Sequence, residues 1–149
     1  MNNPLRTADD YELFIYEIKE RFQSVRRSTL TFVRRGSSLA RVAGELHFDR
    51  DVRLVVRERI VYDRQPAVID SYGYEVWKGR DKLYWYDSQP HPDEQNLKST
   101  HPHHKHVHPD MKHHRIPAPL MSFSSPNLSE LIKEITEEIK AIIARKKRS

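Results

Sequence analysis

The sequence predicts an α+β domain in which an N-terminal helix and a C-terminal amphipathic helix pack on one face of a five-stranded antiparallel meander. Apolar residues recur at spacings of three and four over residues 8–23 and again from residue 127 onward, as on the buried face of a helix. Between these segments apolar and polar residues alternate with a period of two, and short turns separate the runs, as in consecutive antiparallel strands. A chain of 149 residues with this pattern is expected to form one domain, residues 1–149.

The predicted N-terminal helix runs from Ala8 to Gln23. Thr7 and Asp10 at its start are typical of an N-cap followed by an acidic first turn. Its apolar stripe consists of Tyr11, Phe14, Ile15, Ile18 and Phe22. Such a stripe packs on a sheet, so we predict a structural role for this helix.

The C-terminal helix is predicted to begin near Asn127, because Asn127 and Glu130 resemble a capping box. Its stripe consists of Leu128, Leu131, Ile132, Ile135, Ile139, Ile142 and Ile143. The terminal segments 1–6 and 145–149 are predicted to be flexible tails.

The five predicted strands span residues 28–33, 41–48, 52–62, 68–77 and 83–87. One face of the second and third strands carries four arginines, namely Arg41, Arg53, Arg57 and Arg59. Guanidinium groups bind phosphates well, so Arg53, Arg57 and Arg59, together with Lys105, are the candidate nucleic-acid-binding residues. The alternative is an ordinary solvated face with cross-strand ion pairs to Glu45.

The composition favours a polyanionic partner and an intracellular setting. Lysine and arginine total 26 against 21 acidic residues, which gives a net charge of +5. Such a balance is typical of nucleic-acid-binding proteins, although many small basic proteins bind none. The absence of cysteine excludes disulfides, a thiol nucleophile and cysteine-ligated zinc. We find no apolar run long enough for a transmembrane helix and no signal peptide, and therefore expect a cytoplasmic protein without a membrane partner.

A segment rich in histidine and proline, residues 88–120, is predicted to be an active loop. It holds eight of the nine histidines of the chain. Histidine titrates near neutrality, so it serves either as a proton-transfer group or as a metal ligand. Side chains alternate in an extended segment, so His104 and His106 are expected to project to the same side. With His91 or Asp87 they would form a set of ligands for zinc or another divalent ion, although the pattern itself favours no cofactor. The alternative is a solvated loop whose histidines have no function.

Two carboxylates interrupt apolar positions of the predicted strands. Glu58 is in phase with Val56 and Ile60, and Asp87 is in phase with Leu83 and Trp85. A carboxylate on a core face is costly unless it is paired, hydrogen-bonded or protonated, and desolvation alters its pKa. Both are therefore candidates for function. The structural alternatives are a salt bridge for Glu58 and a turn-forming role for Asp87.

Two short motifs of the chain resemble the signature of TumE-type toxins of prokaryotic toxin–antitoxin systems. They read Tyr86-Asp87-Ser88-Gln89-Pro90-His91 and His101-Pro102-His103-His104-Lys105-His106. Further marks are Gly44, Leu46, Phe48, Glu58, Tyr72 and Tyr74. Ser88 stands where the family pattern has asparagine. The resemblance implies a small cytoplasmic toxin that acts on RNA and is inhibited by a cognate antitoxin.

The residue types favour a metal-independent endoribonuclease. RNA supplies its own nucleophile, the 2′-hydroxyl, so the protein must supply a base, an acid and cations for the charged phosphate. Histidines would transfer the protons, Lys105 and arginines would bind the charge, and Glu58 or Asp87 would orient an imidazole. The candidate catalytic residues are Asp87, His91, His103, His104, Lys105, His106 and Glu58. The alternatives are a nuclease that uses a divalent ion held by His91, His104 and His106, and a non-catalytic module that binds nucleic acid or protein.

Overall fold

The computed structural model describes residues 3–88, 103–108 and 115–148. An antiparallel sheet of eight strands is covered on one face by helices, in agreement with the predicted α+β class. The helices are a 3-10 turn at Pro4–Arg6, α1 at Ala8–Tyr16, α2 at Ile18–Arg21 and α3 at Asn127–Arg148. The strands are β1 Arg27–Ser28, β2 Thr31–Arg35, β3 Leu39–His47, β4 Val52–Val61, β5 Val68–Lys78, β6 Asp81–Asp87, β7 His104–His106 and β8 Arg115–Pro117.

The prediction of five strands is wrong at both edges of the sheet. The strand order is β1-β3-β4-β5-β6-β7-β8, and β2 also pairs with β3. The first predicted strand is divided into β1 and β2 because its ladder with β3 is interrupted at Thr29 and Leu30, whose backbone lies against Gly44. A Cβ atom at Gly44, where φ is +138°, would lie 2.6 Å from the carbonyl oxygen of Thr29. Only glycine allows so close an approach.

At the other edge, part of the predicted histidine loop forms strands. β7 pairs with β6, and β8 pairs with β7. This pairing satisfies backbone groups of β6 that would otherwise form an exposed sheet edge. His91 and the rest of segments 89–102 and 109–114 lie outside the described residues.

The predicted N-terminal helix has the expected cap but is interrupted. The Thr7 side chain accepts a hydrogen bond from the Asp10 backbone amide at 3.0 Å. Helix α1 ends at Tyr16, and Glu17 separates it from α2, although the apolar stripe continues to the fully buried Ile18. The segment predicted as an N-terminal tail includes the 3-10 turn, whose Leu5 is fully buried in the core.

The core lies between the helices and the sheet. On β4, Val52, Leu54, Val56 and Ile60 point toward the helices and are nearly inaccessible to solvent. The alternate residues of the same strand lie on what we call the outer face, the face of the sheet opposite the helices. Arg57 and Arg59 are exposed there, and the others are half-buried. Within the described ranges, no helix has the length and apolarity that a membrane span requires.

Candidate active site

Three side chains converge where β6 ends. In the register of β6 with β7, Asp87 lies opposite His104, and Trp85 lies opposite His106. Because side chains alternate, Asp87, His104 and His106 all project to the outer face. Asp87 Oδ1 contacts His104 Nε2, and Asp87 Oδ2 lies 3.2 Å from His106 Nε2. The two Nε2 atoms are 3.1 Å apart. We call these three residues the Asp87 cluster.

The cluster is largely removed from solvent. His104 and His106 are 1% and 3% exposed, and the Asp87 side chain is 19% exposed. Burial alone would raise the pKa of Asp87, but the hydrogen bonds and charge of the two histidines hold that pKa well below its usual range. Asp87 is therefore ionised at neutral pH and is the part of the cluster that solvent reaches.

Trp85 supports the cluster from the same strand and was not among the residues that the sequence pointed to. Its ring stacks on His106 at a centroid distance of 4.1 Å, and its indole N–H donates to Asp87 Oδ2 at 3.4 Å. The Lys82 ammonium lies 4.2 Å from the ring centroid. Trp85 thus contacts two of the three members. Its position two residues before Asp87 on the same strand indicates a contact with Asp87, but a tryptophan in a strand more often packs in the core.

The alternation in the sequence places Asp87 on the apolar core face together with Leu83 and Trp85, whereas in the structure Asp87 and Trp85 project to the outer face. Tyr84 and Tyr86 face the helices and are buried, and Leu83, which lies at a register shift of the β5–β6 ladder, also packs against the core. Tyrosine is large enough to fill the core, and the Tyr86 hydroxyl reaches Glu134 of α3 at 2.8 Å. Both sets of alternate positions in β6 carry apolar or aromatic residues, so the alternation alone does not show which set faces the core.

A pocket of about 450 Å³ adjoins the cluster on the outer face. Residues of β3 to β6 line it, among them Arg41, Arg57, Arg59 and Asp87, and Ser88 also contributes. Arg59 forms an ion pair with Asp70 at 2.8 Å. Among the described residues, no carboxylate lies within ion-pair distance of Arg41 or Arg57. Two guanidinium groups in this pocket, which we call the arginine pocket, are thus available to an anion.

Gly73 brings one of these cations next to the cluster. It lies between Arg57 and Asp87 in the strand register. A Cβ atom at position 73 would lie 2.5 Å from the Arg57 guanidinium, so the guanidinium occupies the space that a side chain would fill. The glycine therefore allows Arg57 to lie over the strand that separates it from Asp87.

Arg53, which is also predicted to bind phosphate, contacts groups outside this pocket. It donates to the carbonyl oxygen of Gly79 at 2.8 Å, and its guanidinium lies 5.0 Å from the Trp77 ring centroid. It is four residues from Arg57, or about 13 Å along the strand. Arg53 does not line the arginine pocket.

The predicted catalytic residues His103 and Lys105 are not brought together with the cluster, because they occupy the alternate positions of the β7 segment. The Lys105 ammonium lies 3.6 Å from Glu134 of α3 and 4.1 Å from the ring centroid of Tyr84. His103 Nδ1 lies 2.6 Å from the Tyr72 hydroxyl. Both residues therefore contact the helix-covered side of the sheet.

Glu58 also lies on the helix-covered face, apart from the cluster. The Tyr11 hydroxyl donates to it at 2.5 Å, and the Tyr74 hydroxyl donates to its other carboxylate oxygen. Asn127 donates to the Tyr74 hydroxyl at 3.1 Å. Burial raises the pKa of Glu58 to about 7, although the two tyrosine hydrogen bonds oppose the change. These contacts join α1, β4, β5 and α3 through one carboxyl group.

Ser88, which stands where the TumE pattern has asparagine, makes a local contact. Its hydroxyl accepts a hydrogen bond from the Tyr72 backbone amide at 3.0 Å. This bond extends the pairing of β5 with the end of β6 by one residue. It fixes the position at which the chain leaves the sheet after Asp87.

Comparison with known proteins identifies the family. Neither the curated proteins nor the solved structures include a match to this chain. The family model described as Toxin TumE matches residues 13–139, a range that includes the Asp87 cluster and both motifs around it. The chain therefore belongs to the TumE toxin family, which makes it a toxin of a toxin–antitoxin system with a cognate antitoxin as its partner.

Proposed function

We propose that this toxin is an endoribonuclease that uses histidine acid–base chemistry at the Asp87 cluster. The observation that carries the proposal is the position of the cluster beside Arg41 and Arg57, two guanidinium groups without a carboxylate partner among the described residues. Such a combination of buried titratable groups with cations in one pocket is typical of sites that act on phosphate esters.

The phosphodiester backbone of RNA fits this pocket. Arg57 and Arg41 would each bind a phosphate oxygen and stabilise the additional negative charge that develops during cleavage. Asp87 lines the same pocket, so a phosphate bound there would lie beside the histidine cluster. The net charge of +5 adds a long-range attraction for a polyanion.

Cleavage of RNA requires two proton transfers. One imidazole accepts the proton of the 2′-hydroxyl, and the other protonates the departing 5′-oxygen. His104 and His106 are the candidates for these two steps, and Asp87 would fix the tautomer of the imidazole that it contacts. The products of this reaction end in a 2′,3′-cyclic phosphate.

Cleavage of an end-labelled RNA by tag-free protein in excess chelator tests the proposal. The wild type should give products ending in 2′,3′-cyclic phosphate, and both His104→Ala and His106→Ala should lose at least about 10²-fold in rate. His108→Ala is the matched control, because His108 lies on the same segment and is exposed. Binding of RNA without cleavage would instead favour a non-catalytic module, and equal rates in all four proteins would remove the cluster from catalysis.

Growth of a bacterial host gives a second test, since the family is one of toxins. Expression of the wild type without antitoxin should slow growth, and the His104→Ala/His106→Ala double variant should not. The His108→Ala protein should remain toxic. A double variant that is expressed and folded but equally toxic would contradict a catalytic role for the cluster.

A further inference from the structure

We propose that the Asp87 cluster binds one divalent first-row transition-metal ion, with zinc as the representative case. The ligands are one carboxylate oxygen of Asp87 and the Nε2 atoms of His104 and His106. Binding of the ion does not depend on RNA cleavage, but its consequence for activity rests on the function proposed above.

Two separations among the ligand atoms are close to those of a tetrahedral ion site. All three lie within 4.8 Å of one another. The two Nε2 atoms are 3.1 Å apart, and His106 Nε2 is 3.2 Å from Asp87 Oδ2. In a tetrahedral zinc site with bonds of about 2.0–2.1 Å, neighbouring ligand atoms are about 3.3–3.4 Å apart. Side chains that face each other at these distances need little movement to share an ion.

The chemistry of the nitrogen atoms supports an ion at the centre. A ring nitrogen carries either a proton or a lone pair, so it acts as donor or acceptor but not as both. His104 Nε2 contacts both Asp87 Oδ1 and His106 Nε2. When His106 Nε2 carries a proton, His104 Nε2 would have to accept a hydrogen bond from it and at the same time donate one to the Asp87 carboxylate. A cation between the three groups accepts a lone pair from each of them at once.

The types of ligand determine the class of ion. Two imidazole nitrogens and one carboxylate oxygen are typical of sites for zinc, iron, manganese and cobalt, whereas magnesium and calcium prefer oxygen ligands alone. Three protein ligands leave at least one coordination position open. Asp87 lines the arginine pocket, so the open position is reachable by an anionic ligand bound there.

Neighbouring residues hold the ligands in place. Trp85 stacks on His106 and donates a hydrogen bond to Asp87, and the pairing of β6 with β7 fixes all three backbones. Contacts of this kind maintain the orientation of metal ligands and raise affinity about 10–100-fold. The ligands are thus held by paired strands, unlike surface histidines that lie close together by chance.

Metal titration of tag-free protein stripped with chelator tests the inference. Calorimetry with Zn²⁺ and the visible absorption of bound Co²⁺ should both give one ion per chain. Asp87→Asn, which preserves the shape of the side chain, and His104→Ala should each weaken binding by at least about tenfold. His108→Ala should bind as the wild type does. Unchanged affinity and stoichiometry in both cluster variants, or no binding by the wild type, would overturn the proposal.

The effect of the ion on RNA cleavage separates this inference from the proposed function. A bound ion takes up the Nε2 lone pairs of both histidines, so under histidine acid–base chemistry Zn²⁺ should inhibit cleavage and chelator should restore it. Cleavage that is lost in chelator and restored by one ion also supports the metal site, but it overturns proton transfer by these histidines. If no ion binds and cleavage occurs in chelator, only the metal site is rejected.

Discussion

At the scale of single residues, Asp87 is the group that organises the candidate site. It contacts both histidines of the cluster and accepts a hydrogen bond from Trp85. Its carboxylate is ionised because the histidine contacts outweigh the effect of burial on its pKa. The amide of asparagine has the same shape but lacks this charge.

We therefore expect Asp87→Asn to fold but to cleave RNA about 10²-fold more slowly than the wild type. Single-turnover cleavage rates test the effect, and circular dichroism with thermal unfolding tests the fold. Asp81→Asn is the matched control, since Asp81 lies at the other end of β6 and is exposed. A wild-type rate in Asp87→Asn would mean that its charge has no part in catalysis.

Trp85 acts on the reaction only through its neighbours, so it is a positioning residue. Trp85→Phe retains an aromatic ring beside His106 but removes the hydrogen bond to Asp87, whereas Trp85→Ala removes both contacts. An aromatic stack is worth about 0.5–1.5 kcal/mol, so we expect Trp85→Ala to lower kcat by up to about tenfold with KM nearly unchanged, and Trp85→Phe to restore part of the loss.

The corresponding kinetic controls use Trp77, which packs against Arg53 away from the cluster. Trp77→Phe and Trp77→Ala should leave kcat near the wild-type value. Equal kcat losses in the Trp77 and Trp85 series would indicate a general effect on the sheet. A change in KM alone would indicate that Trp85 contacts RNA.

At the scale of elements, the arginine pocket depends on which guanidinium groups are already engaged. Arg59 is paired with Asp70, and Arg53 is bound to the carbonyl of Gly79. Arg41 and Arg57 have no such partner among the described residues and line the pocket together. The alternation of β3 and β4 predicts that all four share a face, but it does not indicate which of them are available to a ligand.

We expect the Arg41→Gln/Arg57→Gln pair to reduce the salt dependence of RNA binding. Each phosphate contact to a single strand contributes about 0.7 to the slope of log affinity against log salt concentration, so the loss of two contacts lowers the slope by about 1.4. The Arg53→Gln/Arg59→Gln pair removes the same charge and should change the slope less. Equal changes in both pairs would indicate diffuse attraction to the whole outer face.

The element that the sequence predicted least well is the one that completes the site. Strand β7 has only three residues, His104, Lys105 and His106, which carry no strong preference for strand structure. Its conformation comes from pairing with β6, a contact between segments that are distant along the chain. The alternation within it was predictable, and so was the separation of Lys105 from the two histidines once a strand was assumed. The pairing partner was not.

At the scale of the whole molecule, the buried Glu58 connects the helical layer to the sheet. The sequence marked Glu58 and Asp87 by the same criterion, a carboxylate among apolar positions. The structure gives them different surroundings: Glu58 meets the hydroxyls of Tyr11 and Tyr74, while Asp87 meets imidazoles. These partners lie up to 47 residues away along the chain, so the strand pattern could not distinguish the two carboxylates.

The surroundings of Glu58 predict a pH-dependent stability. Burial raises its pKa in the folded protein from 4.5 to about 7, so between these values the folded state keeps a proton that the unfolded state releases. Glu58 should therefore make its full contribution to the free energy of unfolding below about pH 4.5, and this contribution should decrease as the pH rises toward 7. Since one pKa unit corresponds to about 1.4 kcal/mol, the decrease is about 3 kcal/mol.

Glu58→Gln should remove this decrease, because the amide resembles the protonated carboxyl group and does not titrate. Urea denaturation at pH 5 and pH 8 measures the effect as the difference between wild type and variant, which cancels the titration of other groups. Glu20→Gln, which changes an exposed carboxylate of α2, should keep the wild-type pH dependence. If Glu58→Gln loses as much stability as the wild type between the two pH values, Glu58 has the same pKa in both states. Glu58 would then be ionised at neutral pH, and the Tyr11 and Tyr74 hydroxyls would donate to a charged carboxylate.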